Sequence, residues 1–240
     1  MGMDFKYSDH GVNDWFPYFG QFLCHDIALV GSAPNMTFDV EVPKCDPFFD
    51  KECSGNQTMP FERSAGSIRA AGYRVPYNTV STYIDASTVY GDDQEYSNKL
   101  RTFSGGLLKV SNGPNGDLLP LASQVGLFMV PGGDPSKLFA AGDVRANVNL
   151  QMVCYHTLFH LEHNWRAREL AVLHPEWDDQ KLFMEARNYI IALMQKFVYS
   201  HYAPMLLGKP LPEYEGYDPT LDPAIDVTFM TSAFRYGHSA

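Results

Sequence analysis

The sequence predicts a mainly α-helical domain with long loops and few short strands, and three observations carry that expectation. Apolar residues recur at helical spacing in Leu150, Val153, Cys154, Thr157, Leu158 and Leu161, and again in Leu182, Phe183, Ala186, Ile190, Leu193 and Phe197. The second stripe has a start signal in Asp178, whose carboxylate can accept free N–H groups of a first turn, and a stop signal in Pro204. Between the helical patterns, 31–78 and 104–142 are punctuated by Gly, Pro, Asn and Ser, which reads as long loop.

In chain order, residues 1–19 read as an irregular lead-in to a helix containing Gly20–Val30, GQFLCHDIALV. A short helix is expected over Glu95–Phe103. The run from Gly142 to Asn147 is expected to open the long helix that carries the first apolar stripe. The stripe after Asp178 is core by default, Gly208–Pro223 is loop, and Phe229–His238 closes the chain. Neither an internal repeat nor a low-complexity segment is evident.

Composition excludes several function classes. With 45% hydrophobic and 19% charged residues among 240, the chain has ordinary globular values. A formal net charge of −10 argues against nucleic acid as a partner, because phosphate backbones select basic surfaces. Neither a membrane span nor a signal peptide is visible in this segment. Of the four cysteines, Cys24, Cys45, Cys53 and Cys154, only Cys45 and Cys53 are near enough in sequence to suggest a bridge, and free thiols remain the alternative. Asn35-Met36-Thr37 and Asn56-Gln57-Thr58 have the pattern of glycosylation acceptors, which fits a lumenal or secreted surface.

On a helix, Gln21 and His25 stand one above the other on a single face, whereas Asp26 is turned roughly 100° from His25 and must face a different site. In Ser81-Thr82-Tyr83-Ile84-Asp85-Ala86-Ser87, the residues Ser81, Tyr83, Asp85 and Ser87 alternate. Such oxygen donors suit a hard cation, and a capped Ser/Thr turn is the alternative. His156, His160 and His163 share one helical face. A zinc site is conceivable there, but three ligands from one straight helix seldom converge on one ion, so core histidines are the competing reading.

Taken together, these motifs resemble the animal haem peroxidases of the peroxidase–cyclooxygenase superfamily. The matching runs are Gln21-x-x-x-His25-Asp26, Ser81-x-Tyr83-x-Asp85-x-Ser87, Gly142-Asp143-x-Arg145, Glu162-His163-Asn164 and Phe234-Arg235-Tyr236-Gly237-His238, in the family's order from about Phe16 onward. Asp46-Pro47-Phe48-Phe49-Asp50 and Pro60-Phe61-Glu62-Arg63-Ser64 resemble the family's run between its distal helix and calcium loop. The resemblance implies haem b and Ca²⁺ as cofactors, and hydrogen peroxide and a small electron donor as partners. It assigns His238 to the haem iron, His25 to the distal base, Arg145 to the distal cation and Gln21 to a place beside the base. Arg235 falls to a haem propionate, and Asp26, Ser81, Tyr83, Asp85 and Ser87 to calcium.

Departures from the family pattern sharpen the expectation. Two carboxylates that form esters to haem methyl groups are replaced by Cys24 and Val148, so haem is expected without ester links. That favours phenols, iodide or thiocyanate as donors over chloride or bromide. Leu161 and Trp165 stand where the family usually has Arg. Residues 1–240 correspond to the amino-terminal half of such a domain, as in peroxinectin-like or dual-oxidase forms, with the Asn that holds the proximal imidazole lying beyond the end. The alternatives are the peroxidase-like domain of a dual oxidase, a fatty-acid dioxygenase, and a non-catalytic adhesion or binding module on the same scaffold. The expected location is extracellular or lumenal.

Overall fold

In the computed structural model, which describes residues 11–68, 72–127, 129 and 133–239, Trp15–Ile27 forms the first helix, α1. Of the lead-in expected over 1–19, residues 1–10 lie outside the described residues and Trp15–Phe19 belong to α1, which ends at Ile27, short of the expected Val30. The chain forms two units, one of residues 29–79 and one of the remainder.

In the larger unit, α1 buries Phe19, Phe22, Leu23 and Ile27. It is followed by α2 (Ser87–Tyr90), α3 (Gln94–Leu100) and α4 (Ala122–Val125), with a small hairpin of β-strands at 111–118. Two long helices, α5 (Leu150–Leu173) and α6 (Asp179–Phe197), then pack against one another. The ring of Phe22 stacks on Phe159 of α5 with centroids 5.1 Å apart, which ties α1 to α5 in one apolar core. The expectation of a mainly helical fold holds, with three refinements.

First, α5 begins at Leu150, after the Gly142–Asn147 run. The Asp143 carboxylate takes the Arg145 N–H at 2.7 Å and holds that run as a turn. Asn149 is extended and caps the helix, accepting from the Met152 N–H at 2.8 Å.

Second, the predicted apolar stripe of α5 faces outward, with Leu150 73% and Leu158 60% exposed. The buried face carries His156, Phe159, His160, His163 and Asn164. Distant groups satisfy part of it: Asn164 bonds both the N–H and the carbonyl of Leu108, at 2.7 and 3.0 Å, whereas neither ring nitrogen of His156 has a hydrogen-bond partner among the described residues. Sequence periodicity sees polarity, and here His160, His163 and Asn164 are polar residues with partners inside.

Third, Pro204 does not end the helix. After α6, whose cap is Asp178 as expected, a π-helical turn (Val198–Tyr202) shifts the register. Pro204 then falls at the start of α7 (Ala203–Leu207), where a missing N–H costs little, and Gly208 ends that helix at φ 66°. Residues 209–226 are loop, followed by α8 (Val227–Thr231) and a 3₁₀ segment, Ala233–Ser239.

The smaller unit corrects the expectation of a long loop over 31–78. Its strands Ser32–Glu41 and Thr58–Ser64 pair antiparallel, with Phe38 opposite Phe61 and Val40 opposite Met59, and a shorter pair joins Gly66–Ile68 to Arg74–Pro76. Nearly every residue of the longer pair is exposed, so the alternation that marks a half-buried strand is absent. Cys45 and Cys53 are disulfide-bonded, and the loop between them is organised by Asp50. That carboxylate accepts N–H groups from Cys45, Ser54 and Gly55.

Candidate active site

One face of α1 presents Gln21, Cys24 and His25 to a cavity of about 540 Å³. Arg145 lines the same cavity, as do Phe234, Arg235, Tyr236, Gly237 and His238 of the 3₁₀ segment. Residues separated by more than two hundred positions thus meet because the 3₁₀ segment packs on α1. Gly20 makes this approach possible: the Tyr202 and Tyr236 hydroxyls, hydrogen-bonded to each other, occupy the space a Cβ there would need.

His25 is buried. Burial, followed by the charge of Arg145, pushes its pKa down to about 3 against the opposing pull of Asp143, so the ring is neutral at physiological pH. Its Nδ1 lies 3.9 Å from Asp143 Oδ1. Burial alone would raise the Asp143 carboxyl, but the hydrogen bonds and charge of Arg145 outweigh it and hold the group below its usual range. Arg145 donates from Nε and Nη2 to Asp143 at 2.9 and 2.7 Å, from Nη1 to the Ala28 carbonyl at 2.9 Å and from Nη2 to the His25 carbonyl at 3.0 Å. Gln21 is held through its Oε1 by Asn149 Nδ2 at 3.0 Å. Burial keeps the Cys24 thiol protonated despite Arg145 and Arg235 nearby. Arg235 and His238 are solvent-exposed at the cavity, and Arg235 has no ion pair among the described residues.

Asp26 turns away from this cavity, as the helical geometry requires. It is fully buried, and its carboxylate accepts N–H groups from Ala86 at 3.3 Å and Thr88 at 3.0 Å. Ser87 Oγ donates to the Asp26 carbonyl at 3.0 Å. Burial, helped by the charge of Asp85 and opposed by those hydrogen bonds, raises the Asp26 pKa to about 7. Asp26, Asp85 and Ser87 are therefore together. Ser81 Oγ accepts the Tyr83 N–H at 3.2 Å, and the Tyr83 ring is exposed. Two carboxylates with hydroxyl and carbonyl oxygens fit a hard cation. Among the described residues there is no group of three or more His, Cys, Asp or Glu that could hold a metal.

The three histidines of α5 are core residues. The Tyr90 hydroxyl lies 2.8 Å from His163 Nδ1, His163 Nε2 is 2.9 Å from the Gly106 carbonyl, and His160 Nε2 is 2.7 Å from that of Lys109. The residue that sequence reasoning passed over is Asp143. It was in view as part of Gly-Asp-x-Arg, but only the fold shows that its carboxylate stands between the imidazole and the guanidinium.

Two imidazoles at one cavity, with one cation beside the buried ring and another at the opening, suit a haem with one axial and one distal histidine. The family model for animal haem peroxidases matches residues 2–240, and the chain belongs to that family. It is 36% identical over 250 residues to Peroxinectin A of Dictyostelium discoideum, covering 97% of this chain and 46% of that protein. Over 234 residues it is 32% identical to the dual oxidase of Drosophila melanogaster, covering 92% of this chain and 15% of that one. The solved structure of Peroxidase A from Dictyostelium discoideum superposes with a TM-score of 0.89 at 35% identity, covering 99% of this chain and 48% of that one. The chain thus spans less than half the length of these relatives. Among the described residues, no helix is long and apolar enough to cross a membrane.

Proposed function

We propose that the chain reduces hydrogen peroxide at haem b and oxidises small donors such as phenols, iodide or thiocyanate. The observation that carries this reading is the single cavity shared by His25, Arg145 and His238. Bound haem supplies the redox chemistry. His238 would ligate the iron, and Arg235, exposed and without an ion pair among the described residues, would meet a propionate. His25, neutral because it is buried, would accept the proton of the incoming peroxide and return it to the departing oxygen. Arg145 would stabilise the negative charge that develops as the O–O bond breaks. Its position is already fixed, with four hydrogen bonds made by the guanidinium. With Oε1 engaged by Asn149, Gln21 has its amide N–H groups left for water or a donor.

Cys24 and Val148 offer no carboxylate, so the haem would be held without ester links. Calcium would be held by Asp26, Asp85 and Ser87, with oxygens from Ser81 and Tyr83. An extracellular or lumenal location is supported by the Cys45–Cys53 disulfide and by the exposure of Asn35 and Asn56 in their acceptor sequences. The test is reconstitution with haem: a Soret band with peroxide-dependent guaiacol oxidation, lost in His25→Ala, is expected. Failure to take up haem would favour a binding module on the same scaffold.

A further inference from the structure

Asp143 is 5% exposed and touches both distal groups. Its Oδ1 accepts the Arg145 main-chain N–H at 2.7 Å and Nε at 2.9 Å, and its Oδ2 accepts Nη2 at 2.7 Å. The two bonds from the guanidinium to one carboxylate, itself held by the main-chain N–H, leave the guanidinium a single orientation. The same guanidinium reaches the His25 and Ala28 carbonyls, which lie at the carboxyl end of α1. Arg145 is thereby registered to the helix that carries His25.

On its other side, Asp143 Oδ1 lies 3.9 Å from His25 Nδ1, a ring nitrogen that makes no hydrogen bond among the described residues. An anion at that distance repels an imidazole lone pair and attracts an N–H, so it selects the tautomer protonated on Nδ1. We propose that Asp143 is a positioning residue for the distal pair, locking the Arg145 guanidinium and directing His25 to the Nδ1–H tautomer so that Nε2 remains the proton acceptor. Its catalytic meaning rests on the peroxidase reading, but its structural content does not.

The experiment therefore has two arms. In the chain labelled with ¹⁵N-histidine and ¹⁵N-arginine, without haem, long-range ¹H–¹⁵N spectra are expected to show His25 as the Nδ1–H tautomer, assigned by its loss in His25→Gln. The Arg145 Nε–H is expected to exchange slowly with solvent. In Asp143→Asn the His25 signals should move toward a mixture of tautomers, and the Arg145 Nε–H should exchange at least tenfold faster. Asp143→Glu, which keeps the charge and covers the case of an unstable Asn variant, should keep Nδ1–H; the opposite tautomer in that variant overturns the proposal. With haem added, cyanide association reads the acceptor directly, because HCN must give up its proton to bind as an anion. That rate should fall at least tenfold in Asp143→Asn while the Soret titration stays as in the wild type. Wild-type tautomer and exchange in Asp143→Asn overturn the proposal whatever the haem does. The expected spectra in a wild-type chain that takes up no haem sink the peroxidase reading and leave the positioning role standing.

Discussion

The guanidinium of Arg145 donates from Nη2 to the main-chain carbonyl of His25 at 3.0 Å. The cation beside the distal imidazole therefore also satisfies a terminal carbonyl of the helix that carries it, where a positive charge is favoured by the helix dipole. Substituting Arg145 should damage the fold as well as the chemistry. Removing it strands the Asp143 carboxylate, 5% exposed, without its partner. We expect Arg145→Ala to cost about 3 kcal/mol in urea unfolding, and Arg145→Lys less, because an ammonium keeps the charge but not the forked geometry. A loss under about 1 kcal/mol in the Ala variant would show that the ion pair does not hold this corner together.

Acid should destabilise the chain through its core histidines. Burial pushes both His160 and His163 down to about 4 from the usual 6.5, with the carbonyls of Lys109 and Gly106 opposing the shift. Above pH 6.5 both states are neutral and the stability is full. As pH falls from 6.5 toward 4, the unfolded chain takes up protons that the folded chain refuses, and stability is lost by up to roughly 3 kcal/mol per histidine. In His160→Gln the drop in unfolding free energy between pH 7 and pH 4.5 should shrink by about 1 kcal/mol or more. An unchanged drop would mean that His160 does not titrate in this window.

The same histidines mark where sequence reading stops. Helices α1 and α6 were legible: α6 has its Asp178 cap and a stripe of which Leu182, Phe183, Ala186 and Ile190 are buried. On α5 the core reading of the three histidines holds, but the apolar stripe pointed to the wrong face, because what makes His160, His163 and Asn164 interior residues are carbonyls and N–H groups of Gly106, Leu108 and Lys109, more than fifty positions away. The exposed strands of residues 29–79 carry no alternation to read. At the cavity, Gln21, His25, Arg145 and His238 were legible as a set from motif order, and the structure brings them to one cavity. The part played by Asp143 depends on a distance between two segments, which no local pattern encodes.

Calcium should stabilise the chain. Asp26 is fully buried with Asp85 and Ser87 beside it, and a divalent cation would offset the repulsion between the carboxylates. Excess calcium is expected to raise the thermal midpoint by about 5 °C over chelator-treated protein, and Asp26→Asn should remove the difference. Equal midpoints with and without calcium in the wild type would count against a cation at this site.

Haem should leave the polypeptide under mild acid. Cys24 lines the cavity with a thiol that burial keeps protonated, and Val148 is 59% exposed with an unreactive side chain. Extraction of the reconstituted chain with acidified butanone should move the haem into the organic layer. Haem retained on the protein would contradict attachment without covalent links.

On the proposed reading, His238 is the iron ligand and His25 the free distal base of one haem. Resonance Raman spectroscopy of the ferrous reconstituted chain tests it most directly, through the iron–imidazole stretch. That band should be present in the wild type and in His25→Ala, and absent in His238→Ala; its survival in His238→Ala would contradict the account.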